Sequence, residues 1–296
     1  MKKLLISFAV LLCIGCSKKE SSYTVATEFL PGKRLAELKK SKLDEVSDLA
    51  ASVNNPGMLW AHNDSGNGAD VYLVNEDLDI KLTCKLKDID NRDWEDMTVG
   101  PGPDPNKTYI YIGDIGDNNA RYEYKYIYRF EEPVLKPGED KRLITSFDTI
   151  CFKLPDRKKD TEALFIDPAT KDLYVVSKRE EPVVLYTLRY PYATNDTITA
   201  TSIMTLPLKE IVAGDMSADG KNILLKNYYH IYWWSASGYK PVSALLQEKP
   251  KEVPYKEEYQ GESIAWARDG SGFYTISEKG GGEKSYLYFY QRSASK

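Results

Sequence analysis

The chain has 296 residues, of which 42% are hydrophobic and 28% charged, and its formal net charge is −4. This length permits a substantial core in one large domain or two smaller ones. The acidic balance argues against a nucleic-acid partner, because a surface that binds phosphates needs clustered, uncompensated lysines and arginines. The 22 tyrosines favour strands, because aromatic side chains pack well on pleated surfaces.

The chain begins with the pattern of an export signal. Two lysines precede an apolar stretch over residues 4–14, which is too short to span a bilayer as a helix. A small residue then precedes Cys16, and this arrangement resembles the lipobox of bacterial lipoproteins. The resemblance implies a signal peptide over residues 1–15, acylation of Cys16, a lipidated tether over 16–22, and attachment to the outer membrane of a Gram-negative bacterium. The alternative is a plain secretory signal.

Residues 23–296 contain five copies of one pattern and form a single predicted domain. Each copy has a small or acidic pair, an apolar anchor, a turn, an aromatic strand, a polar loop and a second aromatic strand. The anchors lie 48, 67, 52 and 48 residues apart, at Leu49, Met97, Leu164, Met216 and Ile264. Repeats of this length with short strands predict an all-β fold, a β-propeller with four-stranded blades.

Five repeats are visible, and the spacing allows five or six blades. The long interval contains extra material over residues 143–154, which is either an outer strand or part of a further blade. The last repeat ends too early for its own fourth strand. We therefore expect the N-terminal segment from Tyr23 to Leu30 to supply that strand and close the ring, which also removes an exposed sheet edge. An irregular β-sandwich is the alternative fold.

Two cysteines, Cys84 and Cys151, lie in strand-like segments of the predicted domain. In an oxidising compartment they could form a disulfide, and two buried free thiols are equally compatible with the sequence. Their spacing is not a metal-site signature.

The predicted strand order brings acidic residues to one end of the ring. In an antiparallel meander, the start of each first strand and the loop between the second and third strands lie at the same end, around the channel mouth. The residues expected there include Glu95, Asp96, Glu162 and Glu262 from strand starts, and His62, Asn63, Asp64, Asp114, Asp117, Asn118, Arg121 and Lys178 from loops.

Three roles are open for these side chains. In the structural role, carboxylates accept hydrogen bonds from backbone N–H groups of neighbouring blades. In the second role, Asp64, Asp96, Asp114 and Asp117 hold a cation, for which Ca²⁺ is the hypothesis because carboxylate oxygens are hard ligands.

In the third role the mouth is catalytic. Glu95, Glu162 and Glu262 would act as acid and base, and His62 would carry a proton. Lys178 or Arg121 would bind an anionic group. Trp94, beside Glu95 at a strand start, is the aromatic residue expected to face a ligand.

Several of these segments together resemble a family of secreted bacterial β-propeller lipoproteins, and the first repeat is similar to SdiA-regulated and phytase-like propellers. The segments are 45–49, 62–66, 93–97, 113–118 and 162–164. The resemblance implies a propeller fold, with six blades usual among relatives and calcium sites in some of them. It does not imply an established reaction.

The sequence therefore predicts an exported, lipid-anchored propeller that contacts the membrane through Cys16 and binds a saccharide, peptide or partner protein at the acidic mouth. The alternative function is a calcium-dependent or carboxylate-based hydrolase, and a pure scaffold is a third.

Overall fold

A computed structural model describes residues 23–39, 42–280 and 284–293. The predicted signal peptide, the tether and Cys16 lie outside these ranges. The described residues contain a short helix, α1 (Val242–Leu245), and the following strands: β1 (Thr24–Val25), β2 (Lys33–Glu37), β3 (Val46–Ala51), β4 (Met58–Asn63), β5 (Gly68–Asn75), β6 (Ile80–Asp90), β7 (Trp94–Pro101), β8 (Thr108–Asp114), β9 (Lys125–Glu131), β10 (Lys141–Ile144), β11 (Asp148–Lys153), β12 (Thr161–Ile166), β13 (Leu173–Ser177), β14 (Val183–Leu188), β15 (Ile198–Thr199), β16 (Thr201–Leu206), β17 (Ala213–Met216), β18 (Asn222–Lys226), β19 (Ile231–Ser235), β20 (Lys251–Val253), β21 (Ala265–Trp266), β22 (Gly272–Thr275) and β23 (Tyr286–Gln291).

These strands form five sheets within the described ranges, and the sheets are the blades of a five-bladed β-propeller. Counted from the channel outward, the blades are β3-β4-β5-β6, β7-β8-β9-β11, β12-β13-β14-β16, β17-β18-β19-β20 and β21-β22-β23-β2. Neighbouring strands within each four-stranded meander are antiparallel. The predicted fold class is confirmed, and the structure selects five blades.

The long interval between the second and third repeats contains outer strands and no extra blade. β10 pairs in parallel with β6 as a fifth strand of the first blade, and β11 is the fourth strand of the second blade. Two other short strands extend blades in the same parallel way, β15 beside β11 and β1 beside β20.

The N-terminal part of the chain closes the ring, but through a different segment from the one predicted. β2 pairs with β23 and completes the fifth blade, whereas β1 joins the fourth blade. Residues Tyr23 to Leu30 are used differently because Phe29 packs in the core, with ring centroids 5.1 Å from Trp233 and 5.3 Å from Phe273. This segment therefore contacts both the fourth and the fifth blade.

The core lies between the blades. Its buried residues form five clusters within the described ranges, one at each interface between adjacent blades. Large aromatic side chains such as Trp60, Tyr111 and Phe273 are fully buried there. The tyrosine-rich strands are therefore explained mainly by packing between blades, where aromatic rings bury large apolar areas.

The turns between first and second strands lie at the end of the ring away from the mouth. Gly220 and Gly270 occupy these turns with φ of 69° and 71°. Only glycine adopts this left-handed backbone without steric cost, which explains the Asp-Gly pairs in the sequence. Cys84 and Cys151 are both free thiols.

Candidate functional site

A cavity of about 460 Å³ opens at the channel mouth. Its lining comes from the starts of β7 and β12, from loops between second and third strands, and from the connections that precede β17 and β21. The lining residues are Asp64, Glu95, Asn118, Glu162, Lys178, Arg179, Glu210, Tyr228, Gln260 and Glu262. We call this cavity the mouth pocket.

β-Bulges direct two of the glutamates into the mouth pocket. The pairing of β7 with β8 shifts by one residue between Trp94 and Asp96, so Glu95 is the extra residue of a bulge. The pairing of β12 with β13 shifts in the same way at Glu162. A bulge changes the direction of a side chain relative to the regular alternation of a strand. The side chains of Glu95 and Glu162, which occupy equivalent positions of the repeat, therefore both point into the pocket.

The carboxylates at the mouth lie close together. One group is Asp64, Asp93 and Glu95, and a second is Glu95, Asp160 and Glu162. Within each group, one oxygen from every residue lies within 4.8 Å of the others. Glu95 belongs to both groups and is therefore the centre of the cluster.

Glu95 is buried and has no partner. Its side chain is only 6% exposed, and among the described residues no hydrogen bond or ion pair reaches its carboxylate. Burial raises the pKa of Glu95 well above its usual range, and the charges of Glu162 and Asp64 raise it further. A buried polar group without a partner is costly and is uncommon in native proteins.

Glu162, in contrast, is held by a lysine. The Lys178 ammonium lies 2.5 Å from a Glu162 oxygen and 3.8 Å from Glu262. Burial raises the pKa of Glu162, and the charge of Lys178 opposes this effect. Burial also lowers the pKa of Lys178, but the carboxylates of Glu162 and Glu262 outweigh it and raise the pKa above its usual value. The ammonium therefore stays charged.

Two further contacts shape the pocket wall. The hydroxyl of Tyr228 donates a hydrogen bond to Glu262 at 2.6 Å, and Arg179 forms an ion pair with Asp160 at 2.8 Å. Arg179 also donates to the side-chain oxygen of Asn118. These contacts fix the orientation of side chains from four different blades around one cavity.

The carboxylates at the second position of the repeat have the structural role. Asp48 accepts the backbone N–H of Met97 at 2.9 Å, and Asp96 accepts those of Leu164 at 2.6 Å and Gly214 at 3.1 Å. Each bond connects one blade to another. Asp96 therefore points into the backbone around the channel axis and does not line the mouth pocket.

Two predicted site residues, His62 and Trp94, lie in the core behind the pocket. Both side chains are fully buried, and their rings meet edge to face at 5.7 Å. Burial lowers the pKa of His62 to about 4, so its imidazole is neutral at physiological pH. Trp94 packs in the cluster between the first and second blades and does not reach the pocket.

The remaining predicted residues support the loops. Asp114 pairs with Arg92 at 3.1 Å, and burial raises its pKa to about 6. Asp117 accepts the backbone N–H groups of Arg121 and Tyr122, which closes its own loop. The side-chain nitrogen of Asn63 donates to the carbonyl of Lys42.

Only part of the predicted set therefore meets in the mouth pocket, and Arg121 is exposed outside it. The predicted residues that the pocket brings together are Asp64, Glu95, Asn118, Glu162, Lys178 and Glu262.

Sequence analysis missed four residues of the site. Asp160, Glu210 and Gln260 come from connections between consecutive blades, which also reach the mouth. Tyr228 is the second residue after β18, in the loop between the second and third strands of its blade, so it could have been predicted in the same way as Lys178.

Four exposed tyrosines lie in the segments that also supply residues of the mouth pocket, although none of them lines it. Tyr122 and Tyr124 follow Asn118 in its loop, Tyr229 adjoins Tyr228, and Tyr259 adjoins Gln260. Their exposed fractions lie between 40% and 55%. Exposed aromatic rings beside a polar cavity offer flat surfaces on which a ligand can stack.

The fold resembles known structures only distantly. No protein-family model matches the sequence, and no curated protein matches it either. An aldose sugar dehydrogenase from Streptomyces coelicolor, solved with bound PQQ, is 10% identical, with a TM-score of 0.49 over 88% of this chain and 97% of that one. The major allergen Mala s 1 of Malassezia sympodialis is 8% identical, with a TM-score of 0.50 over 86% of this chain and 94% of that one. At such identities the likeness concerns the fold alone. Within the described residues, no helix is long and apolar enough to cross a membrane.

Proposed function

We propose that this chain is an exported, lipid-anchored binding propeller that takes a saccharide in the mouth pocket. The observation that carries the proposal is a cavity of about 460 Å³ lined by five carboxylates, with exposed tyrosines in the segments that supply its lining. Carboxylates accept hydrogen bonds from sugar hydroxyls, and tyrosine rings stack on sugar faces. The volume lies in the range of small-ligand sites, about 300–1,000 Å³.

The path of the N-terminal segment fits an anchored protein whose pocket faces away from the membrane. β20, as the last strand of its blade, runs toward the mouth, and β1 runs parallel to it. Thr24 therefore lies at the end of the ring opposite the mouth pocket. A lipid on Cys16 would attach at that end and leave the pocket accessible to ligand.

The anchor is tested by fractionation. The unaltered protein should sediment with membranes and incorporate labelled fatty acid, whereas Cys16→Ala should lose both properties. Incorporation that persists in the variant would refute acylation at Cys16.

Saccharide binding is tested by screening the soluble domain against a glycan array and measuring hits by calorimetry. Glu262→Gln and Tyr229→Ala should each weaken binding, because the first removes a carboxylate acceptor and the second a stacking surface. Glu248→Gln, on the opposite end of the ring and paired with Lys240, is the control and should bind as the unaltered protein does. Binding of peptides in place of glycans, or equal binding by all variants, would refute the proposal.

A hydrolase is the second candidate, and the asymmetry between Glu95 and Glu162 favours it. Burial raises the pKa of both residues, but Glu95 is unpartnered, which suits a general acid, whereas the Lys178 ammonium beside Glu162 opposes the rise in its pKa, which suits a base or nucleophile. The two residues have oxygens within 4.8 Å of each other. This separation is closer to that of retaining than of inverting glycosidases.

The hydrolase candidate is tested with aryl glycosides. Glu95→Gln and Glu162→Gln should each lower kcat by at least about a hundredfold, the size of a general acid–base contribution. Turnover that is unchanged in both variants would remove these carboxylates from any mechanism.

A further inference from the structure

The first carboxylate group, Asp64, Asp93 and Glu95, lacks a positive partner. Of the five carboxylates in the two groups at the mouth, Glu162 is paired with Lys178 and Asp160 with Arg179. No described lysine, arginine or histidine forms an ion pair with Asp64, Asp93 or Glu95. Three carboxylates thus face one another without an ion pair, and the charges of Lys125, Arg92 and Lys178 act on them only from beyond ion-pair distance.

Glu95 gives an independent indication of a missing ligand. Its carboxylate is nine-tenths buried, accepts no hydrogen bond from the described residues, and lines the mouth pocket. No protein donor among the described residues accounts for this position, and the side chain is open only toward the pocket. A cation in the group would satisfy the carboxylate and offset the cost of burying it.

The backbone leaves room beside these oxygens. Gly116 lies against Glu95 and Asp93, and a Cβ atom at this position would collide with both carboxylates. The absence of a side chain allows the loop after β8 to approach the group closely.

The chemistry of the donors favours a hard cation. All three side chains offer carboxylate oxygens, whereas His62 is buried behind the pocket and His230 pairs with Glu252 elsewhere. Carboxylates select Ca²⁺, Mg²⁺ or Mn²⁺ over softer metals. Oxygens that coordinate one Ca²⁺ at about 2.4 Å lie at most about 4.8 Å apart, and the group meets this limit.

We propose that Asp64, Asp93 and Glu95 bind one Ca²⁺ in the mouth pocket. Ca²⁺ is preferred over Mg²⁺ because it accepts irregular coordination by six to eight oxygens, whereas Mg²⁺ requires a near-ideal octahedron. Three side chains leave coordination positions open toward the cavity. Water fills them in the free protein, and hydroxyl groups of a bound ligand replace it. The inference deepens the proposed binding function, because the ion lies in the same pocket.

The proposed Ca²⁺ site is tested with metal ions alone, so that the result is independent of any saccharide. The purified domain is dialysed against EDTA, then against Ca²⁺ or Mg²⁺, and its metal content and melting temperature are measured. We expect about one Ca²⁺ per chain and a melting temperature several degrees higher with Ca²⁺ than with EDTA, because a ligand that binds only the folded state stabilises it. Mg²⁺ should bind at least tenfold more weakly.

Two variants and a control make the test specific. Glu95→Gln and Asp64→Asn should lower Ca²⁺ affinity at least tenfold, whereas Glu248→Gln should bind as the unaltered protein does. In EDTA, Glu95→Gln should melt at the same temperature as the unaltered protein or higher, because it removes a buried acid whose ionised form is disfavoured at this position. If Glu95 had a purely structural role, the variant would melt at a lower temperature than the unaltered protein in EDTA.

Absence of Ca²⁺ uptake, equal uptake of Mg²⁺, or unchanged affinity in both variants would overturn the inference. Failure of glycan binding with intact Ca²⁺ uptake would overturn only the saccharide proposal. If Glu95→Gln does not fold, Asp64→Asn decides the outcome, because Asp64 is partly exposed and tolerates substitution better.

Discussion

Glu132 joins the first two blades at the end of the ring opposite the mouth. Its buried carboxylate accepts hydrogen bonds from the hydroxyl groups of Ser52 and Thr108, from the indole N–H of Trp60 at 2.9 Å, and from the backbone N–H groups of residues 53 and 54 at 3.0 and 3.1 Å. The side chain thus ties a turn of the first blade to the start of β8. Replacing it tests the interface between these blades.

The cost of Glu132→Ala is set by the donors that lose their acceptor. Hydrogen bonds to charged groups contribute about 1.5–3 kcal/mol each, but these contributions are not additive. The two hydroxyls can rotate and the turn amides can reach water, whereas the Trp60 indole is fully buried and stays unsatisfied. We therefore expect a loss of about 4 kcal/mol in the free energy of unfolding. Glu132→Gln keeps one acceptor oxygen and should lose about 2 kcal/mol.

The assay is urea unfolding followed by tryptophan fluorescence and circular dichroism. Glu131→Gln is the matched control, because Glu131 is the neighbouring residue, is exposed, and pairs with exposed Lys107 alone among the residues that the structure describes. Its unfolding midpoint should barely change, because surface ion pairs contribute little. An Ala variant within about 1 kcal/mol of the control would refute the assignment of Glu132 as an acceptor that connects the blades.

Three further predictions follow from buried charges. Lys178→Met should lower the free energy of unfolding by about 3 kcal/mol, because it leaves Glu162 buried without its cation. Adding Glu162→Gln should restore much of the loss, and additive effects in this double-mutant cycle of urea midpoints would show that the two side chains do not interact. Gly116→Ala should preserve the circular dichroism spectrum but weaken Ca²⁺ binding measured by calorimetry, because the added Cβ atom displaces the carboxylates of Glu95 and Asp93. Unchanged Ca²⁺ affinity would show that the close approach of this loop is not needed for binding. Stability should fall as pH rises from about 4 toward 7, because burial raises the pKa of Asp215 to about 6 and those of Glu258 and Glu278 to about 7, so the folded state holds protons that the unfolded chain releases. These carboxyl groups outnumber His62, whose lowered pKa acts in the opposite direction. Urea midpoints measured across this range check the sign, and a midpoint that rises throughout would contradict it.

The repeat and its turns could be predicted from the sequence because their causes are local. Asp-Gly pairs specify left-handed turns, and aromatic strands separated by polar loops specify a meander, so the propeller and the acidic mouth followed from residue order alone. The structural role that Asp96 has was among the predicted alternatives for the same reason. Each such residue opens a first strand, next to the backbone of another blade.

Tertiary structure decided which of these residues face the pocket. Trp94 and Glu95 are adjacent in sequence, yet the bulge in β7 buries the indole between blades and turns the carboxylate into the pocket. A bulge depends on the pairing of two strands, which residue types alone do not specify.

Closure of the ring was decided in the same way. The sequence determined that an N-terminal strand completes the last blade, because that blade lacks a fourth strand of its own. The structure determined that β2 fills this place, because Phe29 packs between Trp233 and Phe273. The contrast between paired Glu162 and unpaired Glu95 likewise depends on Lys178, which comes from another strand. Turn dihedrals and strand alternation act between neighbouring residues and can be recognised in the sequence, whereas pairing, burial and charge compensation join distant residues and exist only in the folded ring.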